Sequence, residues 1–297
     1  MSKSIDLQQE ITNKFITLIE NGIDTPWRCP WIKGNPFPIN WLTKDSYNGI
    51  NVLILWCEAM SKNYTFNYWL TYAQAKKLGA VVKKGEQGTR CVFYKPVEKK
   101  SDEEEESEVY LCIRPFTLFN VDQIAGLDGL SALTAEQQFD NDVTIQSIKR
   151  IADLYSEKSG LRIEYGGNKA FYSPTHDLIR LPNTFNSTSG YVATFAHEIG
   201  HSTGHKSRLD RFSSNNKAFN TYKESYAFEE LCAELFASFL CAELRVVGEH
   251  ENHASYLNFW LKALKKDKTF LFKASSAASK AYQYLMDLTC INSDVAA

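Results

Sequence analysis

Tyr191-Val192-Ala193-Thr194-Phe195-Ala196-His197-Glu198-Ile199-Gly200-His201 is the stretch from which the rest of the chain can be read. Its first part is apolar at helical spacing, and it ends in the pattern H-E-x-x-H. On a helix, residues four apart lie one above the other on the same face. His197 and His201 can therefore hold a single ion. Glu198 is rotated to one side of them, placed to take a proton from a water rather than to bind the ion. The donor pattern calls for Zn2+, which supplies Lewis acidity and lowers the pKa of a bound water towards ~7. Another divalent ion such as Mn2+ would also suit it. The bland alternative is a surface helix carrying two unrelated histidines.

A catalytic zinc site needs a third protein ligand. His205 follows closely, but Gly204 is read as the residue that ends the helix, which turns His205 away. The three-histidine pattern requires a longer His-x-x-Gly-x-x-His spacer, absent here. His205 is assigned instead to the substrate side or to contacts behind the ligands. The other source is a later helical segment, Phe228-Glu229-Glu230-Leu231-Cys232-Ala233-Glu234-Leu235-Phe236-Ala237. Its carboxylates stand among apolar residues, and buried carboxylates need a cation. Glu230 and Glu234 are four apart. That resembles the glutamate-ligand zincins, in which a ligand Glu is followed at i+4 by an acid that orients a metal-bound histidine. On this likeness Glu230 is the ligand, Glu229 its alternative, and Glu234 the orienting acid.

Working outward, the chain predicts an α+β protein of two domains. An amphipathic helix over 4–21 is followed by a proline- and tryptophan-rich extended segment. Helices are expected over 49–60 and from Thr71 to Gly79. Strands 88–97 and 109–120 form a hairpin whose solvated tip is Glu98 to Ser107, acidic from Asp102 onward. The domain boundaries are read as 1–125 for an N-terminal mixed α/β domain, 126–142 for a linker, and 143–297 for a C-terminal zincin-like domain. Within the last, a helix over 143–158 leads into short strands at 163–165, 170–172 and 178–181. Helices then follow near 189–203, 222–243, 250–265 and 270–289. The strand ending at Pro182 is expected to be an edge beside the motif helix, where an extended peptide could pair.

The 297 residues are 44% hydrophobic and 23% charged, with net charge −2, an ordinary globular balance. Residues 1–97 nevertheless hold 12 Lys/Arg against 7 Asp/Glu, a local excess of +5. Aromatic residues are interleaved with these cations. Rings stack on unpaired bases and cations follow phosphates, so the pattern suits single-stranded DNA. Candidate contacts are Trp27, Arg28, Trp31, Lys33, Lys44, Tyr47, Asn51, Trp69, Lys83 and Lys84. A Trp-rich core under a solvated basic surface is the competing reading. Seven cysteines without C-x-x-C spacing read as buried thiols of a reducing compartment. No signal peptide or bilayer-spanning stretch is apparent, so the expected location is cytoplasmic, without a membrane partner.

Several ordered motifs carry a family resemblance. Pro26-Trp27 with Pro30-Trp31, Tyr47-Asn48-Gly49-Ile50-Asn51, Trp69-Leu70-Thr71-Tyr72-Ala73-Gln74-Ala75 and Val82-Lys83-Lys84-Gly85-Glu86-Gln87-Gly88 resemble the N-terminal domain of the ArdC antirestriction family. The same family's metallopeptidase domain is matched by Asp177-Leu178-Ile179-Arg180-Leu181-Pro182, His197 to His201, Thr203-Gly204-His205, Arg208-Leu209-Asp210-Arg211 and Glu229 to Glu234. The resemblance implies a plasmid- or phage-borne protein that protects incoming DNA from restriction. It implies a domain that binds single-stranded DNA and a zincin-like domain. The implied partners are that DNA and a protein substrate or a component of the host restriction system. A two-metal nuclease fits the motif less well, because H-E-x-x-H suits one ion and peptide hydrolysis.

Overall fold

The structure, a computed structural model, describes residues 6–21, 36–99, 108–130, 141–213, 219, 221–246 and 254–289. Helix α1 (Leu7–Glu20) comes first, started by Asp6, whose side chain accepts from the Gln9 amide. The chain divides into two compact units, one of residues 30–136 and the other of 1–29 together with 137–297.

The first unit contains β1 (Ile39–Asn40), α2 (Ile50–Lys62), β2 (Tyr68–Leu70), α3 (Tyr72–Lys77), β3 (Val81–Val82), β4 (Thr89–Lys99), β5 (Glu108–Asn120) and β6 (Ile124–Ala125). A four-stranded sheet runs in the order β1-β2-β5-β4, and β3 pairs with β6. The expected hairpin is present as β4 and β5, antiparallel from Thr89 opposite Leu118 to Lys99 opposite Glu108. Its acidic tip lies outside the described residues. The two-residue strands β1, β3 and β6 were not anticipated, since so short a run shows no alternation. Thr71 starts α3 through a reciprocal cap with Gln74. Helix α2 is buried along Val52 to Cys57.

The second unit holds α1, α4 (Asn141–Ser159), β7 (Arg162–Tyr165), β8 (Phe171–Ser173), β9 (Leu178–Leu181), α5 (Thr188–Ser202), α6 (Tyr222–Glu243), α7 (Ala254–Lys266) and α8 (Phe270–Thr289). By packing, α1 belongs to this unit, although in the chain it precedes residues 30–136. The apolar stripe of α1, Ile11, Phe15, Ile16 and Ile19, is buried, and α1 packs on α7. Thr12 donates to the Lys268 carbonyl at 2.8 Å, and Lys265 pairs with Glu20 at 2.6 Å. Hydrophobic burial, rather than chain order, assigns this helix.

The three-stranded sheet runs β7-β9-β8, parallel between β7 and β9 and antiparallel between β9 and β8. The expectation that the strand before Pro182 is an edge needs correcting. The strand ending at Leu181 is the central one, with a partner on each side, and β8 is an edge. Helix α5 packs on this sheet and on α6. Gly200 is what lets the two helices approach: a Cβ there would lie 3.1 Å from Ala233 Cα and 2.9 Å from Phe236 Cδ1. Helix α6 is buried all round from Ala227 to Ala242, as expected of a central helix.

Arg208 ties the end of α5 to the sheet. Its Nε donates to the Ser202 carbonyl at 2.7 Å, and its Nη2 donates to the Tyr172 hydroxyl at 3.2 Å. The rest of the guanidinium forks onto Asp177, Nη1 at 3.0 Å from Oδ2 and Nη2 on Oδ1. Burial alone would raise the Asp177 carboxyl, but Arg208 and Tyr172 outweigh it and hold it below the usual carboxylate range. A depressed carboxylate stabilises the fold above its unfolded value, and the effect disappears as pH falls through the folded one. Asp177→Asn is expected to cost about 2–3 kcal/mol at neutral pH, less than the ~3–5 of a fully buried pair because Asp177 is partly exposed. In denaturant titrations the gap between the variant and the wild type should close as pH drops below about 4.

Candidate metal centre

Ser187 starts α5, its hydroxyl accepting from the Gly190 amide at 3.0 Å, and the helix carries His197 and His201 on one face. Their rings meet edge to face, with Nε2 atoms 3.0 Å apart. Glu230 of α6 completes the cluster. Its Oε2 lies 3.5 Å from His197 Nε2 and its Oε1 3.5 Å from His201 Nε2. Among the described residues, His197, His201 and Glu230 are the only group of three such side chains whose donor atoms converge within 4.8 Å. Two imidazoles and one carboxylate are a zincin-type donor set, and they fit one divalent ion.

Behind the three stand two more carboxylates. Glu234 Oε2 lies 3.7 Å from His197 Nδ1, with its side chain fully buried. Glu229 Oε1 lies 3.4 Å from His201 Nδ1. Each histidine thus has a carboxylate at its far nitrogen, the arrangement that fixes a ring's tautomer and orientation. Burial works against a charged His197, yet Glu230 and Glu234 outweigh it and push the ring up to about 10. Burial likewise opposes a charged Glu230, but His197 and His201 bring it down to about 2. The negative charge that holds a proton here is the charge that would hold a metal cation.

The sequence left Glu229 as an alternative ligand. The geometry separates the two glutamates, because the Arg211 guanidinium occupies Glu229. Nε donates to Oε2 at 2.8 Å and Nη2 to Oε1 at 2.5 Å. His205 is engaged elsewhere. Its Nδ1 is 2.7 Å from the Ser207 hydroxyl and 3.9 Å from Asp177. Gly204 does not adopt the left-handed conformation expected of a helix-ending glycine. It is small because a Cβ would lie 3.0 Å from Arg211 Nη2.

The cluster opens into a cleft of 990 Å³, walled by Phe171 and Tyr172 of β8, Phe185, and Tyr222 and Tyr226 of α6, with Glu198 beside the histidines. Tyr226, one turn before Glu230, hydrogen-bonds it. Sequence reasoning missed Tyr226, and it gave no role at the site to Arg211 or to the β8 strand, both of which it had marked. The i, i+4 spacing from Tyr226 to Glu230 was the available signal for the first.

The candidate DNA contacts scatter. Trp27, Arg28, Trp31 and Lys33 lie outside the described residues. Trp69 is 0% exposed and donates to Asn67, so it has no free face for a base. Asn51 is a packing clip that donates to the Val92 carbonyl at 2.7 Å and accepts from its amide at 2.9 Å. The Tyr47 hydroxyl accepts from Asn40 at 3.0 Å. Lys44 is exposed with its Nζ 3.9 Å from the centre of the Trp41 ring. Lys83 and Lys84 are exposed, Lys83 donating to the Asp122 carbonyl. The exposed rings are others: Tyr72 at 61%, Phe93 at 46% and Tyr94 at 45%.

Comparison with known proteins agrees with this geometry. Residues 5–121 match the model of the N-terminal domain of anti-restriction factor ArdC, and residues 150–277 match that of a zincin-like metallopeptidase. The crystal structure of the antirestriction ArdC protein from plasmid R388, metal-free, is 38% identical, with a TM-score of 0.79 over 96% of this chain and 98% of that one. The chain belongs to the ArdC antirestriction family. The R388 protein has also been solved with Mn(II) bound, and that structure matches with a TM-score of 0.76 over the same shares of the two chains. A Sinorhizobium fredii protein, y4eC, is 30% identical over 94% of this chain and 91% of its own length. Escherichia coli DNA primase TraC is 33% identical over 94% of this chain, which spans only 27% of that protein. No helix among the described residues is long and apolar enough to cross a membrane.

Glu230→Ala removes the carboxylate ligand, while Glu234→Gln keeps the ligand set and weakens the support of His197. Elemental analysis after gel filtration should find near-stoichiometric divalent metal in the wild type and little in Glu230→Ala. Glu234→Gln should bind about 10–100-fold more weakly by chelator competition. Metal retained in full by Glu230→Ala would remove it from the ligand set.

Proposed function

We propose that this ArdC-family chain is a divalent-metal-dependent endopeptidase that acts on protein associated with single-stranded DNA and so protects incoming DNA from restriction. One observation carries the reading: His197, His201 and Glu230 converge at a cleft that Glu198 also lines. Zn2+, or Mn2+ as in the R388 relative, would be held by those three side chains and would supply Lewis acidity towards a peptide carbonyl and activate water. Glu198 would take the proton from that water and pass it to the leaving amine. Glu234 and Glu229 would keep the two imidazoles oriented. An extended peptide would run along β8, whose Phe171 and Tyr172 line the cleft and whose outer edge has no strand partner among the described residues. A cytoplasmic setting suits the buried free thiols Cys57, Cys91, Cys232 and Cys241.

Single-stranded DNA would be bound by the unit 30–136. The exposed rings of Tyr72, Phe93 and Tyr94 offer stacking faces, and Lys44, Lys83 and Lys84 offer cations. These exposed groups also favour a second reading, in which antirestriction follows from DNA shielding alone and the metal domain is structural.

Glu198→Gln separates the two. Metal binding should stay near the wild-type level, cleavage of a protein bound to single-stranded DNA should fall by about 10²-fold or more, and protection in a conjugation assay should be lost. Full protection by this variant would transfer the function to shielding. In the DNA-binding unit, Tyr72→Ala should weaken binding of an oligonucleotide by about 1–3 kcal/mol per stacked base. Lys83→Glu with Lys84→Glu should lower both affinity and its salt dependence. Binding unchanged in both variants would place the DNA elsewhere.

A further inference from the structure

Glu229 and Glu230 are adjacent on a buried helix, and each has an oxygen about one contact distance from the same imidazole. Glu230 meets His201 at Nε2, the nitrogen facing the other ligands, at 3.5 Å. Glu229 meets it at Nδ1, on the other side, at 3.4 Å. Both carboxylates are almost fully buried. A buried carboxylate beside a divalent cation is drawn to it unless something holds it back. A catalytic zinc site keeps three protein ligands and one open position, whereas a fourth protein ligand makes a closed, structural site.

What holds Glu229 is Arg211, whose guanidinium is itself 8% exposed. It grips both Glu229 oxygens in a fork. Its remaining donors fix the fork to the histidine helix: Nη1 to the Thr203 hydroxyl at 3.0 Å and Nη2 to the Gly200 carbonyl at 2.9 Å. Gly200 lies between the two histidines in sequence, so the fork is referenced to the very turn that carries them. Gly204 leaves room for the guanidinium. Glu234, the corresponding acid behind His197, sits a full turn further along α6. The adjacent glutamate is the one that carries the clamp.

We infer that Arg211 is a positioning residue that keeps Glu229 behind His201 and off the metal, so that Glu230 alone supplies the carboxylate ligand and one coordination position stays open. The inference rests on the metal reading above. Arg211 does not line the cleft. It acts through Glu229, and a Lys would not reproduce it, because a point charge cannot hold both oxygens and two α5 acceptors at once.

The test is Co(II) substitution of the full-length protein. The intensity of the visible bands reports the coordination number, independently of any catalysis. Melting of the metal-free protein is followed in parallel. Arg211→Met frees Glu229, and its Co(II) spectrum is expected to change as that carboxylate joins the ion. Arg211→Met combined with Glu229→Gln removes the competitor, and the wild-type spectrum is expected to return, with affinity lowered about 10–100-fold because His201 has lost its charged partner. An Arg211→Met spectrum and affinity equal to wild type overturn the inference whatever the melting temperature. So does a double variant that keeps the altered spectrum of the single one. Should Arg211→Met not fold, Arg211→Lys reads the same way: a changed spectrum supports the clamp and an unchanged one removes it. A wild type that takes up no Co(II) or Zn(II) fails differently, since no variant then has a spectrum, and it sinks the metal reading itself.

Discussion

Three carboxylates on the buried stretch of one helix, Ala227 to Ala242 of α6, are the constraint on which the C-terminal unit depends. Glu229, Glu230 and Glu234 occupy α6 at a depth where an isolated carboxylate costs several kcal/mol, so each must find a positive or proton-donating partner. The fold supplies them from α5 and the loop after it. His197 and His201 face Glu230, Glu234 stands behind His197, and Arg211 grips Glu229. That requires α5 and α6 to approach closely, which Gly200 against Ala233 permits. It also requires the chain after α5 to return to the helix end, which Arg208 arranges by clasping Ser202, Tyr172 and Asp177 together. Packing, ion pairing and the candidate metal site are thus one arrangement. Burial gives the charges their strength, and the charges dictate which side chains the buried helix can carry.

The same arrangement explains what was legible in the sequence. The His197–His201 spacing is a local property of a helix, and nothing distant is needed to read it. Glu230 against Glu229 is different. Adjacent residues on a helix point about 100° apart, and the Arg211 guanidinium that occupies Glu229 comes from 18 residues away through tertiary contacts. The central place of β9 was hidden for a similar reason. The sequence marks a strand at Leu178–Leu181, but strand order depends on partners at Arg162–Tyr165 and Phe171–Ser173. Gly204 stands just past the end of α5, as its residue type suggests, but the room it leaves for the Arg211 guanidinium is visible only in three dimensions.

In the N-terminal half, residue type did not reveal burial. Trp69 and Tyr72 are three positions apart and both aromatic. Trp69 lies in a sheet strand, inside the core and hydrogen-bonded to Asn67, whereas Tyr72 is the first residue of α3 and points to solvent. Composition alone could therefore support a stacking surface without saying which rings form it. Helix α1 shows the same limit at the scale of domains. Its apolar stripe is plain in the sequence, but the surface that covers it, α7, begins 234 residues after α1 ends. The family model begins at residue 5 and so includes α1 in the N-terminal domain, while its packing joins it to the C-terminal unit. Sequence families follow chain continuity, and packing follows apolar surface.

The most direct test is the position of the metal itself. Anomalous diffraction from crystals grown with Zn(II), collected on both sides of the zinc edge, locates the ion without reference to activity. The account predicts one strong peak about 2.0–2.2 Å from His197 Nε2, His201 Nε2 and a Glu230 oxygen, with Glu229 still on Arg211. A peak bound by Glu229, or metal-loaded crystals with no peak between the two histidines, would contradict it.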